Sequence, residues 1–204
     1  THRQIRAVSM MIMSPTLWAY EFGAGVVRGL VEARIVQKWL IRENDPALYS
    51  RFKDYGRGRL KLQVLHLREY RDGLDSPPDS LNDVIEDMEA YLNRDIWEEF
   101  QDISVEGNFA KIDTRRMALA VGLESDYRLV FAPMSADVHG EWMSLERYAL
   151  TVCANPLHRG HRIPCEPGPF PIGPELVDLA MRILGDMVTD YTDAINAPPA
   201  SDRT

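Results

Sequence analysis

Apolar residues recur at helical spacing through almost every long segment of this chain, and proline or glycine breaks the pattern between segments. The last of them, residues 174–196, carries Leu176, Leu179, Ala180, Ile183, Leu184, Met187, Val188 and Tyr191. Side chains three and four apart share one face of a helix, so such a segment has a stripe to bury and a polar side for water. No run alternates with the period of two that a half-buried strand needs. The expected fold is therefore all-α, a bundle of about five to six helices with a Pro-rich irregular loop before the last one.

The breakers set the order of elements. Residues 1–13 read as a short helix that stops at Ser14-Pro15, because the residue before a proline disfavours the helical conformation. A long helix is expected over residues 15–44. Asn44-Asp45-Pro46 then stops one helix and starts the next, with Asp45 as N-cap and Pro46 in the first turn. That next helix extends to about Asp72, with Gly56 and Gly58 as points where it can kink. Asp79 or Ser80 is expected to cap a third helix bearing Leu81, Val84, Ile85, Met88, Leu92 and Ile96. A short helix follows over residues 114–123 and another over 125–142, where Pro133 is placed to bend it and Gly140 to end it. Residues 151–173, with five prolines, read as an irregular loop. One domain is expected over residues 1–196, followed by a disordered tail over 197–204.

Polar side chains fall on the apolar faces of two of these helices. Arg28 and Glu32 stand four apart on a line that continues through Ile35 to Trp39, with Ala24, Gly25, Gly29, Val31 and Val36 beside it, so both charges are expected to point inward. Arg34, Lys38 and Arg42 form a separate line that can face water. Ser135 and His139, also four apart, share a stripe with Phe131 and Trp142. Charges taken out of water are costly unless paired, and such groups collect at working sites. They also occur as ion pairs that hold helices together, and periodicity alone leaves both readings open.

Composition narrows the chemistry. A net charge of −8 disfavours non-specific binding to nucleic acid or an anionic membrane, although a local basic cleft remains compatible with it. Such a cleft has a candidate in Arg51, Lys53, Arg57, Arg59, Lys61, Arg68 and Arg71, with Tyr55 and Tyr70 placed to stack on bases, although a solvated face reads the same way. Two cysteines make no disulfide framework and suit a reducing cytoplasm. No run reads as a membrane span or signal peptide, and Thr1 in place of Met leaves room for preceding residues. Phosphate loops, dinucleotide fingerprints, His-Glu-x-x-His and nucleophile elbows are missing. Cys153, His158, His161 and Cys165 are potential zinc ligands, but their spacing matches no usual structural-zinc pattern, and the expectation is that no metal or cofactor is bound.

Three elements together carry a family resemblance. Arg28-Gly-Leu-Val-Glu32 on the first long helix, residues 45–55 reading Asp-Pro-Ala-Leu-Tyr-Ser-Arg-Phe-Lys-Asp-Tyr, and Tyr127 followed by Met134-Ser-Ala-Asp-Val-His-Gly140 resemble a family of bacterial helical proteins known as a domain of unknown function. The whole is similar to the HEPN class of helical bundles. That resemblance implies a metal-independent ribonuclease or effector of a toxin-antitoxin or antiphage system, acting on RNA and often as a homodimer. If the site is catalytic, His139 is expected to be the acid or base and Arg28, supplied from another helix, to stabilise the phosphate. Glu32 orients Arg28, Ser135 fixes the histidine or bonds phosphate, and Tyr55, Tyr127, Asn155 and His158 contact substrate, the last two on a closing loop. The chain departs from the HEPN signature, an Arg shortly before a His on one helix, because Ala132, Pro133 and Met134 stand at that spacing before His139. Arg59 and His66 alone match it, with Leu60 where a polar residue is usual. The alternative is a non-catalytic helical module that binds a protein partner or small ligand and uses Arg28 and Glu32 as a structural ion pair.

Overall fold

The computed structural model describes residues 2–13, 20–94, 108–166 and 174–197. Among them the fold is all-α with one small sheet. The expected helix start at Pro15, the position of Ile96, the end of the Pro-rich loop and the tail beyond Ala197 lie outside the described residues. The chain divides into two compact units, residues 1–42 with 114–204, and residues 43–113.

The first unit holds α1 (His2–Met13), α2 (Tyr20–Glu43, leaving the unit after Arg42), α5 (Thr114–Ala120), α6 (Glu124–Asp126), α7 (Ala132–His139), α8 (Trp142–Tyr148) and α9 (Pro174–Asn196). Its core takes Val27, Leu30, Val31 and Ile35 from α2 and Ala180, Ile183, Leu184 and Met187 from α9, all buried at helical spacing. Met117, Phe131, Met134 and Val8 are buried as well. Between α6 and α7 the helix continues as one π-helical turn, Tyr127–Phe131, in which the Ala132 N–H reaches back to the Tyr127 carbonyl. Pro133 follows at once. Its ring lacks an N–H and crowds the carbonyl four residues back, and the widened turn before it accommodates both. Gly140 ends α7 in the left-handed conformation, φ 63°.

Within the expected irregular loop, Leu150–Val152 (β1) and Arg162–Pro164 (β2) form an antiparallel hairpin, pairing Thr151 with Ile163 and Val152 with Arg162. Three residues per strand are too few to show alternation, which hides the hairpin from a periodicity reading. Arg162 ties it to α8 through Glu146, with Nε 2.7 Å from Oε1.

The second unit is a helical hairpin of α3 (Pro46–Asp72) and α4 (Asp79–Leu92). Asp45 caps α3 as expected, its Oδ1 accepting from the Ala47 N–H at 2.8 Å, and the helix runs unbroken through Gly56 and Gly58. Val64, Ile85 and Leu92 form the buried seam, with Leu60, Leu67, Leu81 and Met88 packed on it. The expected cap of α4 by Asp79 or Ser80 is not made. Pro78 holds the cap position with no side-chain bond, and Asp79 lies in the first turn, where its charge still favours the helix dipole. Arg68 of the basic strip donates to Glu89 of acidic α4 at 2.8 Å.

Two glycines test this backbone with opposite signs. Among the described residues, a Cβ at either Gly140 or Gly185 would meet nothing within 4 Å, so only conformation counts. Gly185→Ala, inside α9, is expected to raise unfolding stability by about 0.5–1 kcal/mol, and Gly140→Ala to lower it by about 1–2 kcal/mol, in urea titrations.

Candidate functional site

Burial along α2 follows Ala24, Val27, Leu30, Val31, Arg34 and Ile35, a face turned by roughly one residue from the expected line. Gly25 and Gly29 lie beside the expected line, but without side chains they have little to bury, and Gly29 is exposed. Arg28 and Glu32 consequently sit at the margin of the core. Their side chains are 21% and 43% exposed.

At that margin Arg28 is held on three sides. Its Nε donates to Ser135 Oγ at 2.9 Å, Nη1 lies 3.4 Å from Glu32 Oε2, and the guanidinium stands 4.6 Å from the Phe131 ring centroid. The Ser135 hydroxyl in turn donates to the Phe131 carbonyl at 2.9 Å. Ser135 is thereby occupied as donor and acceptor, and its role in the structure is to position Arg28, not to touch the histidine. Tyr127 stacks on Phe131 at 5.1 Å between ring centroids, which continues the layer away from Arg28. Among the described residues Nη2 of Arg28 has no partner, so one edge of the cation is available to an anion.

His139 lies one turn beyond Ser135 on α7 and is exposed. It stands on the Gly25 side of Arg28, where a Cβ on Gly25 would lie 3.8 Å from Val138 Cγ2. The antiparallel run of α2 against α7 thus brings Ser135 onto Arg28, which also meets Glu32 on its own helix, and puts His139 next along α7. Asn155 and His158 bond within their own loop, Asn155 Nδ2 lying 3.2 Å from His158 Nε2, and no hydrogen bond or ion pair among the described residues joins them to Arg28. Tyr55 belongs to the second unit, its ring tilted against Phe109 at 6.5 Å.

The buried charge that the sequence reading missed is Arg34. The helical pattern puts it on the solvated line with Lys38 and Arg42, yet it is only 8% exposed. Nη1 reaches Asp126 Oδ2 at 3.0 Å and Asp186 Oδ2 at 2.8 Å. Nε faces Asp190 Oδ2 at 3.5 Å without hydrogen-bond geometry, which makes that contact purely electrostatic. Lys38 joins Asp190 at 3.1 Å, and Arg182 approaches Asp126 and Asp186 from outside. The available signal was complementarity. Asp186 and Asp190 stand four apart beside the apolar stripe of α9, matching Arg34 and Lys38 four apart on α2.

The π-helical turn links the two sites. Residues five apart on an α-helix face about 140° away from each other. A turn closed by i to i+5 bonds brings them closer together, so Asp126 can meet Arg34 while Phe131 and Ser135 meet Arg28 on the same neighbouring helix. A cleft of about 470 Å³ opens elsewhere, lined by Lys38, Ile41, Arg42, Val121 and Asp190. Lys38 lies about 15 Å along the helix axis from Arg28, so this cleft is separate from the Arg28 cluster.

All four residues of that cluster fall within residues 15–152, which match the model of a family of unknown function, DUF5677. The chain belongs to the DUF5677 family. The match takes in Arg28, Arg34 and Asp126 but ends before Asp186 and Asp190, so part of the buried network lies beyond the DUF5677 segment. No curated protein and no solved structure matches the chain.

The two arginines should differ sharply when removed. Arg34→Ala leaves a cluster of carboxylates without its central cation and is expected to cost about 3–5 kcal/mol of unfolding stability. Arg28→Ala loses a half-exposed pair and one hydrogen bond, for about 1 kcal/mol. Chemical denaturation of both variants checks the contrast.

Proposed function

We propose that this DUF5677 protein is a HEPN-like, metal-independent ribonuclease or effector of a bacterial defence or toxin-antitoxin system, with Arg28 as the phosphate-binding cation and His139 as the proton-transferring group. The observation that carries this reading is the state of Arg28. It is held by Ser135, Glu32 and Phe131, yet keeps one edge open. Its pair with Glu32 lies within one helix and is partly exposed, which is worth only about 0.3–0.5 kcal/mol, so the pair itself does not hold the bundle together. Arg34 has that task. A cation fixed in place with one edge unpaired suits a site where negative charge develops.

In this reading the His139 imidazole takes the proton of a ribose 2′-hydroxyl, and the 2′-oxygen attacks the adjacent phosphorus. The P–O bond to the 5′-oxygen breaks, that oxygen takes a proton from water, and a 2′,3′-cyclic phosphate and a 5′-hydroxyl remain. The nucleophile belongs to the substrate, so no metal-activated water is needed. Glu32 orients Arg28, and Tyr127 with Phe131 offers an aromatic layer beside the phosphate on which a base can stack. Tyr55 of the second unit, and Asn155 and His158 of the first, are further contacts proposed for RNA, and a second copy of the chain is the proposed partner.

One observation favours the alternative, a non-catalytic module for a protein partner or small ligand: the Ser135 hydroxyl is fully used inside the fold. Incubation with single-stranded RNA separates the two. Wild-type protein should yield cyclic-phosphate ends, and His139→Ala, at an exposed position, should slow cleavage by about 10²–10⁴-fold with unfolding stability changed by no more than about 0.5 kcal/mol. RNA affinity should fall steeply with salt. Equal cleavage by wild type and His139→Ala rejects the catalytic role. No cleavage together with salt-independent behaviour selects the module.

A further inference from the structure

The tip of the β1–β2 hairpin gathers Cys153, His158 and His161, whose ligand atoms all lie within 4.8 Å of one another. We infer that this loop is a zinc(II) site with two imidazoles and one thiolate as ligands and a fourth position open to water. It lies outside the DUF5677 segment and is independent of the Arg28 cluster.

The loop is built to hold these side chains together. Cys153 and His161 are opposite one another at the end of the ladder, the Cys153 N–H donating to the His161 carbonyl at 3.0 Å. The His161 N–H donates to the His158 carbonyl, and the His158 N–H to the Asn155 carbonyl, each at 3.0 Å. Asn155 Oδ1 accepts from the Leu157 N–H at 3.0 Å, and Gly160 takes a left-handed turn at φ 76° that brings the chain back to His161. Each ligand is therefore anchored through its own backbone. Cys165 is not. Its N–H bonds to the Ala149 carbonyl at the opposite end of the ladder, about 13 Å from Cys153, so the four-ligand set open in the sequence becomes a three-ligand set.

The chemistry fits zinc. Zinc takes imidazole nitrogen and thiolate sulfur in a tetrahedron, at about 2.0–2.1 Å and 2.3 Å, which places neighbouring ligand atoms about 3.3–3.6 Å apart. Cys153 Sγ already lies 3.7 Å from His158 Nδ1, and the remaining closure is within reach of small side-chain rotations. Binding displaces the Cys153 thiol proton to solvent and leaves a zinc–sulfur bond. With zinc on Nδ1 of His158, the ring proton resides on Nε2, where Asn155 already stands. A half-turn of that amide presents its oxygen to the proton in exchange for its bond to the Leu157 N–H, and makes the orienting bond that ligating histidines usually have. Three protein ligands with one open position are the arrangement of zinc sites that bind or activate a small molecule, not of closed structural sites.

Cobalt(II) titration of the reduced full chain, followed by zinc competition, tests the assignment. The expected result is one equivalent bound, with the visible bands of tetrahedral cobalt and a thiolate-to-cobalt charge-transfer band, all removed by zinc. Cys153→Ser should abolish the charge-transfer band. Asn155→Ala should weaken zinc binding by about 10–100-fold, and Cys165→Ser should change nothing. The hairpin tip is largely exposed, so the variants should keep the wild-type unfolding curve without metal. A missing charge-transfer band, one that survives Cys153→Ser, or one lost with Cys165→Ser overturns the site.

Discussion

Arg34 is the interaction on which the larger unit depends. An arginine buried at 8% exposure is tolerable only if its charge is met, and Asp126, Asp186 and Asp190 meet it from α6 and α9. Hydrophobic contacts between α2 and α9 can slide along the helices at little cost, because Leu, Ile and Val are similar in size and have no direction. A guanidinium with carboxylates on two sides has one register. Lys38 on Asp190 and Gln37, whose side chain donates to the Met187 carbonyl at 2.8 Å, repeat that register one turn further along. Buried charge here sets alignment more than it adds stability, since desolvation offsets much of the Coulomb gain.

That alignment also determines what Arg28 is. Two arginines six residues apart on one helix meet different surroundings, one closed by carboxylates and the other by a hydroxyl, a half-exposed glutamate and a ring. The π-helical turn before Pro133 makes both possible, by presenting Asp126 and Phe131 to the same neighbouring helix. Such widened turns insert a residue into a helix face and often mark functional positions. Here the insertion separates a charge that fixes the fold from a charge with an edge left open.

Much of the architecture was legible in residue types. Asp45-Pro46 marked the start of α3 and Gly140 the end of α7, because capping and left-handed backbone depend on a few local atoms. The last helix was found with its observed ends, Pro174 and Asn196, from its apolar stripe and its opening proline. The contact of Ser135 with Arg28 was foreseeable as two polar pairs on apolar faces, although the hydroxyl meets the arginine instead of His139. The hairpin was hidden because three residues per strand carry no periodic signal, and its pairing depends on the turn that closes it.

The sequence by itself determined the all-α class, most helix limits and the residues able to carry charge chemistry, since these follow from local sterics and the 3.6-residue period. Only the tertiary structure decided which charges are buried. A helix has several faces, and glycines at 25 and 29 made one look as apolar as the next. Which face turns inward depends on the carboxylates that α6 and α9 bring from distant parts of the chain, and on a π-helical turn whose effect is to change what faces what. The same holds for the Cys153, His158 and His161 group. Its spacing matches no usual structural-zinc pattern, and only the folding of the hairpin tip brings those atoms together.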